Sequence, residues 1–352
     1  MTVCRSVTSR RALAILAIVI LVCTACLPAT TAPTATPTPI PTLKSSPTPE
    51  PTRTSTPFPL ASEENPLVFG TVSENSDPKI LAAGVDLAAE LARITNFKVI
   101  SRTYPSQAAL LADMQAKKVH ITFLQPFTYI WARQKGFANV VLLTNHFGVY
   151  QYGSQFLANV SSKFTSYYDP AKGQNTVDAA TALKQFNGKR PCWVDPTSAA
   201  GFVAPYGLLS DLGIKVKDGV LAQSFPAVVR ALYVTGICDF GASFATIGDA
   251  RTSTTVTQDL TDVMNRVVVI YTTEAVIPNL NLSLHTGLSK EMREDLTFAL
   301  QSIGRSEKGR TAFSTAAAYE ITDVKAVDDV IYDALRNLLK LAGTPYESLI
   351  GK

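Results

Sequence analysis

One stretch of the chain reads Trp193-Val194-Asp195-Pro196-Thr197-Ser198-Ala199-Ala200-Gly201-Phe202. Its apolar residues end at Val194, small and hydroxyl-bearing residues turn the chain, and a helical pattern starts near Gly201. When a strand ends in such a turn, the free N–H groups of the following helix point out of the sheet, where they can hold an oxyanion. The stretch therefore predicts an anion-binding loop in an α/β protein. Ser198 could instead be only the N-cap of that helix, and the stretch alone leaves both interpretations open.

A second loop of the same kind follows an earlier strand pattern. It reads Leu124-Gln125-Pro126-Phe127-Thr128-Tyr129 and again leads from apolar alternation into a helical pattern. Open α/β sheets bind ligands at the carboxyl ends of their strands. Two such loops that face each other across a cleft would clamp one small ligand.

Strand and helix patterns alternate from about residue 63 to the C-terminus. Strands separated by helices of about 10–15 residues imply parallel sheets. One set of these units precedes residue 155 and another follows it, so we expect two lobes. The helix that begins after Asp77-Pro78 is predicted to bury the apolar face formed by Leu81, Val85, Ala88 and Ala92.

The sequence lacks the common catalytic signatures. It contains no G-x-G-x-x-G, G-x-x-x-x-G-K-[ST], H-E-x-x-H or G-x-S-x-G motif. The three histidines, His120, His146 and His285, are far apart, and His120 lies on a strand pattern typical of a structural histidine. Cys192 and Cys238 do not have C-x-x-C spacing. We therefore predict no enzyme activity, no cofactor and no metal ion.

The charge of the chain is concentrated at its N-terminus. The formal net charge is +4, but three of the 32 basic residues fall within the first 26 positions, which contain no acid. The remainder carries 29 basic and 28 acidic residues. Such a balanced body has no electrostatic surface suited to nucleic acid.

The N-terminal segment has the pattern of an export signal. Arginines precede the apolar run Ala12–Cys23, whose 12 residues are too few to span a bilayer. The small residues Cys23-Thr24-Ala25-Cys26 that follow resemble a bacterial lipobox, so Cys26 is the predicted lipid attachment site. An ordinary secretory signal with an incidental Cys26 is the alternative. Residues 27–60 contain ten Pro and ten Thr, a composition that favours an extended tether over a packed core.

Taken together, the motifs resemble a known family, the phosphate/phosphite/phosphonate substrate-binding proteins of ABC transporters. The resemblance covers about 66–340 and rests on four stretches in order: Phe123–Tyr129, Trp193–Gly201, Ala231–Ala242 and Ile277–Asn279. It implies a two-lobed type II periplasmic-binding-protein fold, an α/β fold with a mostly parallel, helix-flanked sheet in each lobe. Two crossover strands, expected near 152–158 and 267–272, would join the lobes.

The resemblance also implies boundaries and site residues. The expected segments are a signal peptide (1–25), an anchor and tether (26–62), lobe 1 (63–154 and 270–352, including the C-terminal helices) and lobe 2 (155–269). The implied ligand-binding residues are Tyr104, Gln125, Thr128 and Tyr129 from lobe 1, and Thr197, Ser198, Ala199, Ala200 and Asp239 from lobe 2. Asp239, placed after a strand, could instead cap a helix, and Tyr104 could instead pack in the core.

One departure from the family pattern bears on the ligand. The family loop commonly reads Ser-Thr-Ser-Gly, whereas this chain has Ser198-Ala199-Ala200-Gly201. Two hydroxyl donors are missing and the backbone N–H groups remain. The ligand could be a phosphorus oxyanion held less tightly, or a bulkier or less charged solute.

Cys192 and Cys238 are the cysteines of the exported body once Cys26 carries lipid. Both lie at predicted strand edges within the same lobe, and exported domains meet oxidising conditions, so we expect a disulfide. Two small buried thiols are the alternative.

The expected function is therefore that of a lipid-anchored, monomeric solute receptor on the extracytoplasmic face of a bacterial membrane. It would deliver a small anion to an ABC permease. A sensory or surface-interaction lipoprotein that uses the same fold for another small ligand is the alternative.

Overall fold

The computed structural model describes residues 58–350 of the 352-residue chain. The predicted signal segment, Cys26 and nearly all of the predicted tether lie outside these residues. The strands are β1 (Leu67–Val72), β2 (Val99–Tyr104), β3 (Ile121–Leu124), β4 (Ala138–Asn145), β5 (Gln151–Asn159), β6 (Tyr168–Asp169), β7 (Gln174–Asn175), β8 (Pro191–Trp193), β9 (Val220–Leu221), β10 (Phe240–Ala245), β11 (Val267–Thr272), β12 (Ile277–Pro278), β13 (Asn281–His285) and β14 (Asp323–Ala326). The helices are α1 (Pro78–Thr95), α2 (Gln107–Gln115), α3 (Pro126–Gln134), α4 (Ala179–Leu183), α5 (Ala204–Asp211), α6 (Phe225–Val234), α7 (Thr254–Thr257), α8 (Val263–Arg266), α9 (Lys290–Arg305), α10 (Glu307–Ala317) and α11 (Asp333–Ala342).

Two main sheets organise the described chain. The first has the strand order β14-β4-β13-β3-β1-β2 and the second the order β11-β5-β10-β8-β9. We call these sheets with their flanking helices lobe 1 and lobe 2. Both sheets are mixed: β1 pairs in parallel with β2 and β3, and β8 with β9 and β10, whereas β13 and β5 run antiparallel to their neighbours. The antiparallel strand β5 is the one by which the chain enters lobe 2, and β13 is the one that follows its return to lobe 1.

The crossings run through the strands expected from the sequence. The chain leaves lobe 1 after β4 and enters lobe 2 through β5, and it returns through β11 and β12 to β13. Strand β5 pairs with both β11 and β12, so the outgoing and returning segments form one antiparallel ribbon. Such a ribbon lets two lobes move relative to each other by small changes at a few residues.

Helix α1 begins as predicted but buries a different face. The Asp77 side chain accepts a hydrogen bond from the Lys79 N–H at 2.8 Å, and Pro78 occupies the first turn. The predicted stripe is wrong in part, because Leu81 and Val85 are 39% and 60% exposed. The buried residues are Ile80, Ala83, Gly84, Leu87, Ala88 and Leu91. Two faces of the helix are apolar, so the spacing of apolar residues in the sequence does not show which of them is buried.

The two ends of the body depart from the expected boundaries. Residues 58–62, expected in the tether, are joined to lobe 1: the Asn65 side chain donates to the Phe58 carbonyl, and the Lys98 N–H donates to Ala61. Helix α11, expected in lobe 1, packs against α5 of lobe 2. Gly207 permits this approach, because a Cβ there would lie 2.4 Å from the Leu338 carbonyl oxygen. The C-terminal segment is thus a further contact between the lobes.

His120 is a buried structural histidine of lobe 1. Its Nδ1 accepts a hydrogen bond from the Val68 N–H at 3.1 Å, and its ring lies edge-on to His285, with 6.4 Å between the ring centroids. Burial, with a smaller contribution from His285, lowers the pKa of His120 from 6.5 to about 4. The folded state therefore holds the neutral imidazole, whereas the unfolded state is protonated below about pH 6.5.

We expect acid to weaken the fold through this histidine. The contribution of His120 is fully present above pH 6.5 and is lost as the pH falls toward 4, because the unfolded chain then binds a proton that the folded chain excludes. Between pH 7 and pH 5 the free energy of unfolding should fall by about 2 kcal/mol from this group. Urea unfolding of the parent and of His120→Gln at both pH values measures it. An equal pH dependence in the two proteins would contradict the assignment.

Candidate ligand-binding site at the facing strand ends

The predicted anion loop lies at the carboxyl end of β8. A π-helical turn, Ala199–Val203, leads directly into α5. The N–H groups of Phe202 and Val203 donate to the Ser198 carbonyl, and the N–H of Gly201 donates to the Ser198 Oγ at 3.1 Å. The N–H groups of Ala199 and Ala200 come first in the turn, where a helix offers no internal acceptor. They are donors to which an oxyanion could bind.

The two hydroxyls of this loop have different roles. Thr197 donates its O–H to Asp195, whose carboxylate also accepts the Thr197 N–H at 2.7 Å. That proton is therefore committed within the loop. Ser198 only accepts in its cap, so its own O–H remains available for a ligand. The N-cap interpretation and the ligand interpretation of Ser198 are thus compatible.

The second predicted loop lies at the carboxyl end of β3. Gln125 is the N-cap residue of α3, is exposed, and makes no side-chain capping bond. Pro126 occupies the first helical turn, so the N–H groups of Phe127 and Thr128 come next and have no internal acceptor. Thr128 is 4% exposed. These groups can meet an oxyanion from lobe 1.

The other two expected contacts of lobe 1 have hydroxyls with partners inside the protein. Tyr129 is 1% exposed and donates to Asp329 at 2.6 Å, and burial, with this bond second, raises its pKa. Tyr104 is 7% exposed and donates to Asp113 at 2.9 Å, and burial is again the main cause of its raised pKa. Tyr129 thus fastens α3 to the C-terminal segment, and Tyr104 packs within lobe 1. We leave Tyr129 out of the candidate site and keep only the ring of Tyr104 as part of its wall.

Asp239 lies at the amino ends of the parallel strands of the second sheet, just before β10. The prediction that it follows a strand is wrong, because β10 begins at Phe240 and runs away from it. Its carboxylate accepts the Arg190 N–H at 2.7 Å, and its own N–H donates to the Arg190 carbonyl. Asp239 thus closes the start of the β8–β10 pair, and we leave it out of the candidate site.

Cys192 and Cys238 meet at these same amino ends of the lobe 2 strands. Their sulfurs are 2.04 Å apart, the distance of a disulfide, and their Cα atoms are 5.6 Å apart. The bond spans 46 positions of sequence and joins the parallel strands β8 and β10 near their starts.

Sequence reasoning missed two polar side chains near the facing strand ends. Gln107, the first residue of α2, has a buried Nε2 without a hydrogen-bond partner, and it lines a cavity of about 70 Å³ together with Thr71 and Gln125. Tyr152 lies on the crossing strand β5, and burial raises the pKa of its hydroxyl to about 12. An unpartnered donor and a half-buried phenol are suited to a bound ligand. Two sequence signals could have identified them: a polar residue just inside a predicted helix start, and a tyrosine on a crossover strand.

One apolar cluster contains residues of both lobes, including residues beside the candidate site. It joins Tyr104 and Phe127 of lobe 1 to Ala200 and Val203 of lobe 2. Half-buried apolar side chains pack against it at the strand ends, including Val72, Tyr152, Ala199, Phe225 and Phe244. The oxyanion donors therefore stand beside a largely apolar wall.

Comparison with known proteins agrees with this architecture. A family model described as the periplasmic substrate-binding protein of a phosphonate ABC transporter matches residues 69–332. The chain belongs to this family. The binding protein is 27% identical over 292 residues to the phosphate-import protein PhnD of Mycolicibacterium smegmatis, covering 77% of this chain and 84% of that one.

Solved structures show the same fold at low identity. A Xanthomonas citri protein, XAC2383, bound to chloride ion has a TM-score of 0.56 at 16% identity, covering 79% of this chain and 97% of its own. PhnD1 of Prochlorococcus marinus in complex with methylphosphonate has a TM-score of 0.50 at 12% identity, covering 79% and 98%. The predicted type II periplasmic-binding-protein fold is confirmed.

Membership in the family establishes the general role of the molecule. Its members are binding proteins and not enzymes, and they carry a small solute outside the cytoplasm to a membrane permease. Within residues 58–350, no helix combines the length and the hydropathy required to cross a bilayer. Those same residues contain no cluster of three or more His, Cys, Asp or Glu side chains that could hold a metal ion.

Proposed function

We propose that the binding protein is a lipid-anchored, monomeric receptor that captures a small phosphorus oxyanion between its lobes for import. Ser198 and the N–H groups of Ala199 and Ala200 would hold the anion from lobe 2, and the start of α3 with Gln125 would hold it from lobe 1. The observation that carries the proposal is that two helix starts lie at the carboxyl ends of β3 and β8, in two lobes joined by β5. Helix N-termini are favourable anion sites.

The ligand assignment is supported by chemistry and by relatives. Neutral N–H donors and one hydroxyl stabilise an oxyanion without a counter-ion. The family description names phosphonate, and the relative in Mycolicibacterium smegmatis is described as importing phosphate. Closure of the lobes would bring the two half-sites together, and the β5–β11 ribbon is the hinge that we assign to it.

Thermal unfolding with added solutes tests the ligand class. A solute at a hundredfold excess over its dissociation constant stabilises the native state by about 2.7 kcal/mol, or about 5 °C in Tm for a body of this size. We expect such a rise with phosphate, phosphite or methylphosphonate and none with acetate.

Ser198→Ala should weaken binding about tenfold in calorimetry, because a hydrogen bond to a charged group is lost. Ser161→Ala, at an exposed serine on the far edge of lobe 2, is the matched control. A response to acetate alone would contradict the proposal.

The lipid anchor at Cys26 has a direct test of its own. The proposal rests on the short apolar run and the small residues before Cys26, with a Pro/Thr-rich tether behind it. Intact-mass analysis of protein extracted from membranes should show a diacylglycerol-type addition at Cys26 and no preceding residues. Recovery of soluble protein cut elsewhere, or of unmodified Cys26, would reject the anchor.

A further inference from the structure

Two aromatic residues of lobe 2, Phe225 and Phe244, lie at the same strand ends as the anion loop. The chain at 222–223 runs beside that loop, because the Ala222 N–H donates to Trp193 and the Gln223 N–H to Val194, both at 2.8 Å. Phe225 follows directly at the start of α6. Phe244 stands near the end of β10, on which the π-helical turn packs.

Phe225 and Phe244 form one aromatic pair. Their rings meet edge to face with 4.8 Å between centroids, and both side chains are only half-buried. Both also contact the apolar cluster that joins the lobes, as does Ala199 of the anion loop. Half-buried aromatic surface beside a polar site is where a ligand with an apolar part is held.

The loops around the site supply no basic counter-ion for a dianion. Six loops follow the carboxyl ends of strands in the two lobes, and none of them contains lysine or arginine. They are residues 73–76, 105–106, 125–128, 195–199, 222–225 and 246–248. Ala199 and Ala200 add methyl groups where hydroxyls could stand, and Ala200 is 2% exposed within the apolar cluster. The donors at the site include backbone N–H groups, the hydroxyls of Ser198 and Thr128, and the side chains of Gln107, Gln125 and Tyr152. Apolar contact beside these donors would add to the binding energy.

We propose that the natural ligand is an organic phosphorus oxyanion with an apolar or aromatic substituent, which packs against Phe225 and Phe244. The oxyanion head lies on the anion loop and the substituent lies on the aromatic pair. This inference rests on the proposed function and makes it specific: inorganic phosphate, phosphite and methylphosphonate are weaker ligands because they leave the aromatic surface uncovered. Burying a phenyl group against such a surface increases affinity ~tenfold or more.

Calorimetry with two phosphonates that share a head group tests the inference. We expect the parent to bind phenylphosphonate at least tenfold more tightly than methylphosphonate. Phe225→Ser should reduce that ratio to about threefold or less while methylphosphonate affinity changes less than threefold, and Phe225→Leu should keep most of the ratio. Phe298→Ser, at a phenylalanine of α9 that is 61% exposed, is the control and should leave the ratio unchanged.

The outcomes separate this inference from the proposed function. If methylphosphonate or phosphate binds as tightly as phenylphosphonate, the inference is wrong and the phosphorus-oxyanion function stands. If the phenyl preference survives both Phe225→Ser and Phe244→Ser, the aromatic pair is not where the substituent lies, and the inference is also wrong. If no phosphorus oxyanion binds at millimolar concentration, both the inference and the proposed function fail.

Discussion

Reduction of the Cys192–Cys238 bond is expected to lower the free energy of unfolding by about 4 kcal/mol. The bond closes a loop of 46 positions, and the chain-entropy model assigns roughly that stabilisation to a cross-link of this length. Both cysteines are buried, at 0% and 8% exposure, so the bond is covered by protein in the native state. It also holds together the starts of β8 and β10, the strands whose other ends carry the anion loop and Phe244. Loss of the bond should therefore weaken ligand binding as well as stability.

Urea unfolding with and without reductant measures this loss of stability. The protein used is the body of the chain with Cys26 removed. Cys192→Ala with Cys238→Ala is the matched variant, because its stability should not respond to reductant. Counting thiols in the unfolded, unreduced protein should give none, and two after reduction. Two reactive thiols before reduction would show that the cysteines are separate buried thiols, and the expected loss of stability would then be absent.

The local chemistry of the fold could be predicted from sequence, and the reason is physical. At 193–202 the apolar run, the turn residues and the helix start depend on neighbours in sequence, and the structure places β8, the Ser198 loop and α5 there. The same holds for Asp77, which caps α1. Short-range hydrogen bonds and side-chain sizes decide such features.

Features decided by distant contacts could not be predicted in the same way. Nothing local indicates that β13 inserts between β3 and β4, or that α11 packs on α5 across the lobes. Two faces of α1 are apolar, and only the sheet beneath decides which of them is buried. Tyr129 matches a binding motif by position, yet Asp329, 200 residues away in sequence, holds its hydroxyl. Asp239 precedes β10 instead of following a strand, so it lies at the opposite end of the sheet from the anion loop.

Restoring the missing hydroxyls of the anion loop is expected to have the other large effect. The double variant Ala199→Thr with Ala200→Ser would place two O–H donors beside Ser198, at the start of the π-helical turn. A hydrogen bond to a charged group contributes roughly 1.5–3 kcal/mol, so each hydroxyl that reaches the oxyanion strengthens binding about ten- to a hundredfold. We expect at least a tenfold gain for methylphosphonate or phosphate, measured by calorimetry beside the parent.

The ligand-free stability of the same variant provides a second measurement. Ala200 is 2% exposed and lies in the apolar cluster, so a serine hydroxyl there has no water and no ligand to bond in the empty protein. The free energy of unfolding should fall by about 1–3 kcal/mol without ligand and recover when an oxyanion binds. Ala171→Thr, at an exposed alanine of lobe 2, is the control and should change neither affinity nor stability. If affinity is unchanged in the double variant while the parent binds phosphonate, the anion lies away from this loop. If neither protein binds a phosphorus oxyanion at millimolar concentration, the ligand class is wrong although the family and the fold are right. The two alanines and the aromatic pair would then belong to a site for a bulkier or less charged solute.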